Sequence, residues 1–346
     1  MRSSVRRIAT LVASCALVLT FSAAAIAQSK SASQYYTYTY LTSNLSGKAK
    51  NTDPLLQNPW GIAYAPDEAF WVSDEASGWS TLYSAKGGPQ SLQVVVPPAS
   101  GSSAGSPTGL VYNGSQEFAI DSWVSAFLFS TLDGTIQGWS HFDPSTTLIA
   151  VTTKGASYTG LAITSYSTGN TLFAADTANN KVDMYDGNFN LIGSFSDSTI
   201  PSGFSVFGIQ DINEQVYVTY AATNGGAGGY IDIFTEAGVF VKRFASGSPL
   251  NQPWGLALAP SKNFGTFEGA LLVGNNSTSG NINGYNLTTG VLIGALSNSK
   301  GKALSINGLW GIEFGGGSSA NGKTNQLFFT AGPNDKNGYF GVINFH

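Results

Sequence analysis

A short pattern recurs six times along this chain: an aromatic or small residue, a glycine, then apolar residues in alternation. It reads Trp60-Gly61-Ile62-Ala63, Thr108-Gly109-Leu110-Val111, Thr159-Gly160-Leu161-Ala162, Phe207-Gly208-Ile209-Gln210, Trp254-Gly255-Leu256-Ala257 and Trp310-Gly311-Ile312-Glu313. The glycines lie 48, 51, 48, 47 and 56 residues apart. A fixed period of this length is the mark of a repeat architecture, in which each unit buries its apolar faces only against its neighbours.

The order inside each unit is also constant. After the glycine-led strand comes a second apolar strand ending in a polar residue, then a Gly/Asn/Asp turn and two more strands. The first unit shows this as Phe70-Trp71-Val72-Ser73-Asp74, Ser80-Thr81-Leu82-Tyr83 and Gln93-Val94-Val95-Val96. Four short strands in about 50 residues make a propeller blade. Six such units predict an all-β, six-bladed β-propeller with four-stranded blades, forming one domain over residues 28–346.

The last unit contains only three convincing strands, within 309–314, 326–331 and 339–345. Upstream of the first unit, Tyr36-Thr37-Tyr38-Thr39-Tyr40-Leu41-Thr42 alternates like a strand and has no blade of its own. Pairing it as the outer strand of the last blade would latch the ring and remove an open edge. The recurrent glycine fits the same geometry, because inner strands converging on a narrow axis need backbones that approach closely. Trp60, Trp254 and Trp310 are expected to act as wedges between blades.

Ahead of the repeats, Arg2, Arg6 and Arg7 precede an apolar run from Ile8 to Ile26, and Ala25-Ile26-Ala27 has the small-x-small form of a cleavage site. Residues 1–27 therefore read as a signal peptide, and the product as secreted or periplasmic. A lipoprotein reading at Cys15 is weaker, since the apolar run continues well past it. No other stretch has the length of a spanning helix. Cleavage would remove the only cysteine, and with it any disulfide or thiolate site. It would also leave 13 basic against 20 acidic residues, a net charge of about −7 that disfavours nucleic acid as a partner. A monomer is expected.

Several stretches, namely Asn58-Pro59-Trp60-Gly61-Ile62-Ala63, Phe70-Trp71-Val72-Ser73-Asp74, Pro253-Trp254-Gly255-Leu256 and Ala331-Gly332-Pro333-Asn334-Asp335, resemble an exported bacterial family of unknown function. Its members look like distant relatives of NHL-repeat propellers. Some carry a C-terminal sorting segment of the PEP-CTERM kind, which is not read here, so surface sorting by that route is not expected. The resemblance implies a propeller and supplies no catalytic residues.

In a propeller, the loop leading into each inner strand and the loop joining the second and third strands share one face. That rule gathers Asn58, Asn251, Asn307 and Asp335 near one rim as candidate ligand-binding residues. The polar residues ending second strands, Asp74, Asp176 and Asn275, are the candidates for a bound calcium, because oxygen-only donors suit a hard cation. Only two histidines exist, His141 and His346, which argues against zinc, copper or iron and against a serine–histidine triad. Trp79 and Trp123 lie in connecting segments where an indole could stack on a sugar. No catalytic constellation is evident. The reading is an exported binding or interaction module for a small molecule, a glycan or a protein. Its alternative is a calcium-dependent, lactonase-like hydrolase at the channel mouth.

Overall fold

The computed structural model describes residues 34–101 and 104–346. The expected signal segment lies outside the described residues. Six antiparallel sheets form a ring of blades, and among the described residues there is no α-helix, only two short 3-10 turns at Gly265–Phe267 and Pro333–Asp335. No helix among them is long and apolar enough to cross a membrane. The inner strands are Pro59–Tyr64, Pro107–Tyr112, Tyr158–Ile163, Phe204–Asp211, Pro253–Leu258 and Leu309–Phe314, so each repeat opens a blade at the axis.

The ring closes as its two ends predict. Tyr36–Ser43 pairs antiparallel with Tyr339–Phe345, from Tyr36 opposite Phe345 to Ser43 opposite Tyr339, and becomes the outer strand of blade 6. Tyr36 is buried there among Phe264, Phe267 and Phe345, and its hydroxyl donates to the Phe264 carbonyl at 2.7 Å.

The core follows from the alternation within the strands, which turns apolar side chains to both faces of every sheet. Each of the six seams between neighbouring blades holds its own apolar cluster. The seam between blades 1 and 2 holds Trp71 stacked on Phe127 at 4.2 Å with Trp139 beside them. The recurrent glycines touch the next blade. A Cβ added at Gly311 would lie 2.7 Å from the Trp60 carbonyl oxygen, across the closing seam. Threonine hydroxyls tie the same seams, Thr330 donating to the Trp60 carbonyl and Thr219 to the Pro253 carbonyl, both at 2.7 Å.

Trp60, Trp254 and Trp310 are not blade wedges. They meet one another on the axis, with Phe207 and Leu132 packed against them. Trp60 stacks on Trp310 at 3.6 Å and 18°, and Trp254 meets both edge-on. The residue before each glycine starts an inner strand, and three indoles projecting from that level are large enough to fill the narrow end of the ring. Spacing alone did not carry that side-chain direction.

Candidate functional site

The indoles cover one end of the axis, here called the upper end, where the inner strands begin. Two of their three N–H groups are held. Trp310 Nε1 donates to Asn58 Oδ1 at 3.1 Å and Trp254 Nε1 to the Thr159 carbonyl at 2.9 Å, whereas Trp60 Nε1 is buried without a partner. Below them runs an axial cavity of only about 40 Å³, lined among others by Gly61, Gly109, Gly160, Gly255 and Gly311.

The predicted upper rim is largely committed to structure. Asn58 is buried, with φ 46°, and besides accepting from Trp310 it donates to Glu75 Oε2 at 2.7 Å. Asp176 is buried and caps its own loop, accepting from Ser157 N, Asn179 N and Asn179 Nδ2. Asn275 accepts from Asn251 N at 2.8 Å and donates to Asn283 Oδ1 at 2.7 Å. Asp74 is different: Oδ2 accepts from Thr81 Oγ1 at 2.7 Å while Oδ1 is buried without a partner. Burial holds its carboxyl well above the usual range, and nearby Asp53 adds to the effect.

Asp74, Asp176 and Asn275 thus sit in three different blades, and no hydrogen bond joins any two of them. Among the described residues, no group of three or more His, Cys, Asp and Glu side chains is arranged to hold a metal ion. Trp79 is half-buried at the start of a blade 1 strand, while Asn307 and Asp335 are exposed on upper loops. Trp123 lies at the other end of the ring, in the connection between the first and second strands of blade 2.

That lower end is open. A recess of about 350 Å³ is lined there by Tyr64, Tyr112, Ser165, Gln210, Asp211 and Glu313, and a neighbouring one of about 250 Å³ by Tyr166, Asp211, Glu214 and Glu236. Glu313 and Gln210 come from the repeat itself. They occupy the position that is Ala63, Val111, Ala162 or Ala257 in the other blades. Asp211 ends the longer inner strand of blade 4, and Glu236 comes from the turn after its third strand.

Burial pushes the Glu313 carboxyl up to about 8. Asp211 is pushed up to about 7, first by burial and then by the carboxyl of Glu236 beside it. Glu236 Oε2 accepts from the Tyr166 hydroxyl at 2.8 Å. No basic side chain lines either recess. A carboxyl held neutral near pH 7 can both donate and accept a hydrogen bond, and a neighbouring carboxylate accepts only, so the recess offers both functions to a hydroxyl- or amine-bearing molecule. The upper-rim expectation missed these residues. A carboxylate in an otherwise apolar repeat position was the signal that could have found Glu313.

No family profile matches the chain. The uncharacterized protein R648 of Acanthamoeba polyphaga mimivirus is 30% identical over 316 residues, covering 84% of this chain and 76% of the viral one. The chain belongs to the family of that viral protein. A second mimivirus protein, the uncharacterized L690, is 31% identical and covers 79% of this chain and 77% of its own length. Among solved structures, a streptogramin B lyase superposes with TM-score 0.56 at 12% identity, over 90% of this chain and 98% of the lyase. The soluble aldose sugar dehydrogenase of Escherichia coli in its apo form gives TM-score 0.56 at 12% identity, over 89% and 99%. At such identities these likenesses concern the propeller alone.

Proposed function

We propose that the protein is an exported binding module that takes a small hydroxyl- or amine-bearing ligand at the lower mouth of the propeller. Export is supported by the basic residues, apolar run and Ala25-Ile26-Ala27 of the first 27 residues. The observation that carries the binding reading is the recess itself, where Glu313, from a position apolar in four of the other five blades, faces the open end of an axis that is filled at the other end. Tyr64 and Tyr112 supply flat apolar walls, and the carboxyl groups fix orientation, a combination typical of small-molecule sites.

Titration calorimetry of the mature protein against a panel of monosaccharides, polyols and amines tests the reading. A ligand bound by the wild type should lose about tenfold in affinity, about 1.4 kcal/mol, in Glu313→Gln or Asp211→Asn. Affinity unchanged in both variants would move the site elsewhere.

A second reading, hydrolysis of a lactone or sugar derivative, is favoured by one observation. Asp211 and Glu313, whose carboxyls burial pushes up to about 7 and about 8, line the same recess, an arrangement in which one can serve as acid and the other as base. It predicts product formation that Glu313→Gln abolishes.

A further inference from the structure

We propose that Trp123 and Phe142 form an aromatic platform that binds a pyranose ring of a polysaccharide, at a site separate from the axial mouth. The two rings are stacked, with centroids 4.4 Å apart and planes at 14°. They are 47% and 63% exposed. Of the seven tryptophans, the other six are buried or half-buried.

The exposure is imposed by a rigid scaffold. Trp123 stands on a hairpin, Ala119–Ile120 paired with Trp123–Val124, that interrupts the blade 2 connection and, among the described residues, has no counterpart in the other five blades. Its turn residues Asp121 and Ser122 have φ of 49° and 71°. The hairpin lies against Gly138, where an added Cβ would come within 2.9 Å of Ile120 Cδ1. Phe118 at its base is fully buried, and its N–H donates to the Gly187 carbonyl at 2.7 Å. Asn113 Nδ2 donates to the Glu117 and Ser125 carbonyls. The Glu117 carboxylate accepts from Gly169 N, Asn170 N and Asn170 Nδ2 of blade 3. Phe142 comes from the connection between the third and fourth strands, so two separate loops bring one ring under the other.

A stacked pair fixed in water leaves apolar surface exposed that the fold makes no use of, and such preorganised rings bind with little further ordering. The C–H face of a pyranose matches a flat aromatic surface, while exposed Asp121, Ser122 and His141 flank the rings in sequence with polar groups for its hydroxyls. A protein partner needs a broader apolar centre than two rings set among polar residues. A saccharide needs no more.

Affinity electrophoresis of the mature protein through gels containing cellulose derivatives, chitosan, xylan, mixed-linkage β-glucan or starch tests the assignment, with iodide quenching of tryptophan emission read in parallel. At least one polysaccharide should retard the wild type and shield Trp123, the most accessible indole. Trp123→Ala and Phe142→Ala should each lose about tenfold or more in affinity, with melting temperatures unchanged because both side chains are exposed, and Trp123→Tyr should retain binding. Retardation by no member of the panel would overturn the proposal, as would equal retardation of wild type and both alanine variants. Retardation lost only in Glu313→Gln would overturn it too, and would assign the saccharide to the mouth. Capture of a protein through these rings without polysaccharide binding would likewise overturn it.

Discussion

The Trp60 indole lies flat on that of Trp310, centroids 3.6 Å apart, so the first and last inner strands of the ring touch face to face at the axis. The contact crosses the closing seam. It joins residues 250 positions apart in the chain and fixes the upper end of the axis as a lid of packed rings.

Asn58 supports that lid from the side, through Trp310 on one atom and Glu75 on the other. Asn58→Ala should destabilise the protein by about 2 kcal/mol or more, since it strands a buried N–H and places alanine at positive φ. Equilibrium urea unfolding measures the loss.

Tyr36 anchors the latch strand. Tyr36→Ala should cost about 3–5 kcal/mol by opening a cavity among Phe264, Phe267 and Phe345. Tyr36→Phe keeps the ring and leaves only the Phe264 carbonyl without its donor, so about 1–2 kcal/mol is expected. A similar loss in both variants would mean that the hydroxyl and not the ring holds the strand.

At Gly311, alanine would meet the Trp60 carbonyl. Because backbone there cannot yield as a flexible side chain would, Gly311→Ala should cost about 1–3 kcal/mol. Alanine at Gly247, where φ is positive but nothing lies within 4 Å, separates steric closure of the seam from conformational strain. Its cost should be about 1 kcal/mol.

Stability should also depend on pH through Glu313. Its folded-state value is raised from 4.5 to about 8, so the folded protein binds the proton more tightly than the unfolded chain does. Below both values the group contributes nothing. As pH rises from about 4.5 to 8 it becomes progressively destabilising, and Asp211, raised to about 7, acts with the same sign. Glu313→Gln should therefore flatten the fall in melting temperature across this range. At pH 8 it should gain about 1–3 kcal/mol, a value discounted from 1.36 kcal/mol per unit because solvent reaches the half-buried carboxyl.

The blade number, the strand order and the latch were legible in the sequence because glycine spacing and strict alternation encode them locally. The lower recess was not. Asn58, Asp176 and Asn275 have the polarity of ligand-binding residues, but backbone N–H groups and the Trp310 indole take up their hydrogen bonds. The larger lower recess combines Asp211 from blade 4 with Glu313 from blade 6, and its neighbour adds Glu236, positions that depart from the repeat and meet only after the ring has closed. Exposure of Trp123 was foreseeable from its place in a long insertion, whereas its stacking partner Phe142 comes from a second loop that only the folded blade brings near.

The latch has a consequence for how the protein is made. Residues 36–43 find their antiparallel partner only in 339–345, so blade 6 is complete only when both segments have come together. A chain interrupted before residue 339 keeps an unpaired strand edge, which invites aggregation or degradation. Closure thus ties the stability of blade 6 to a strand drawn from the far side of the repeat array.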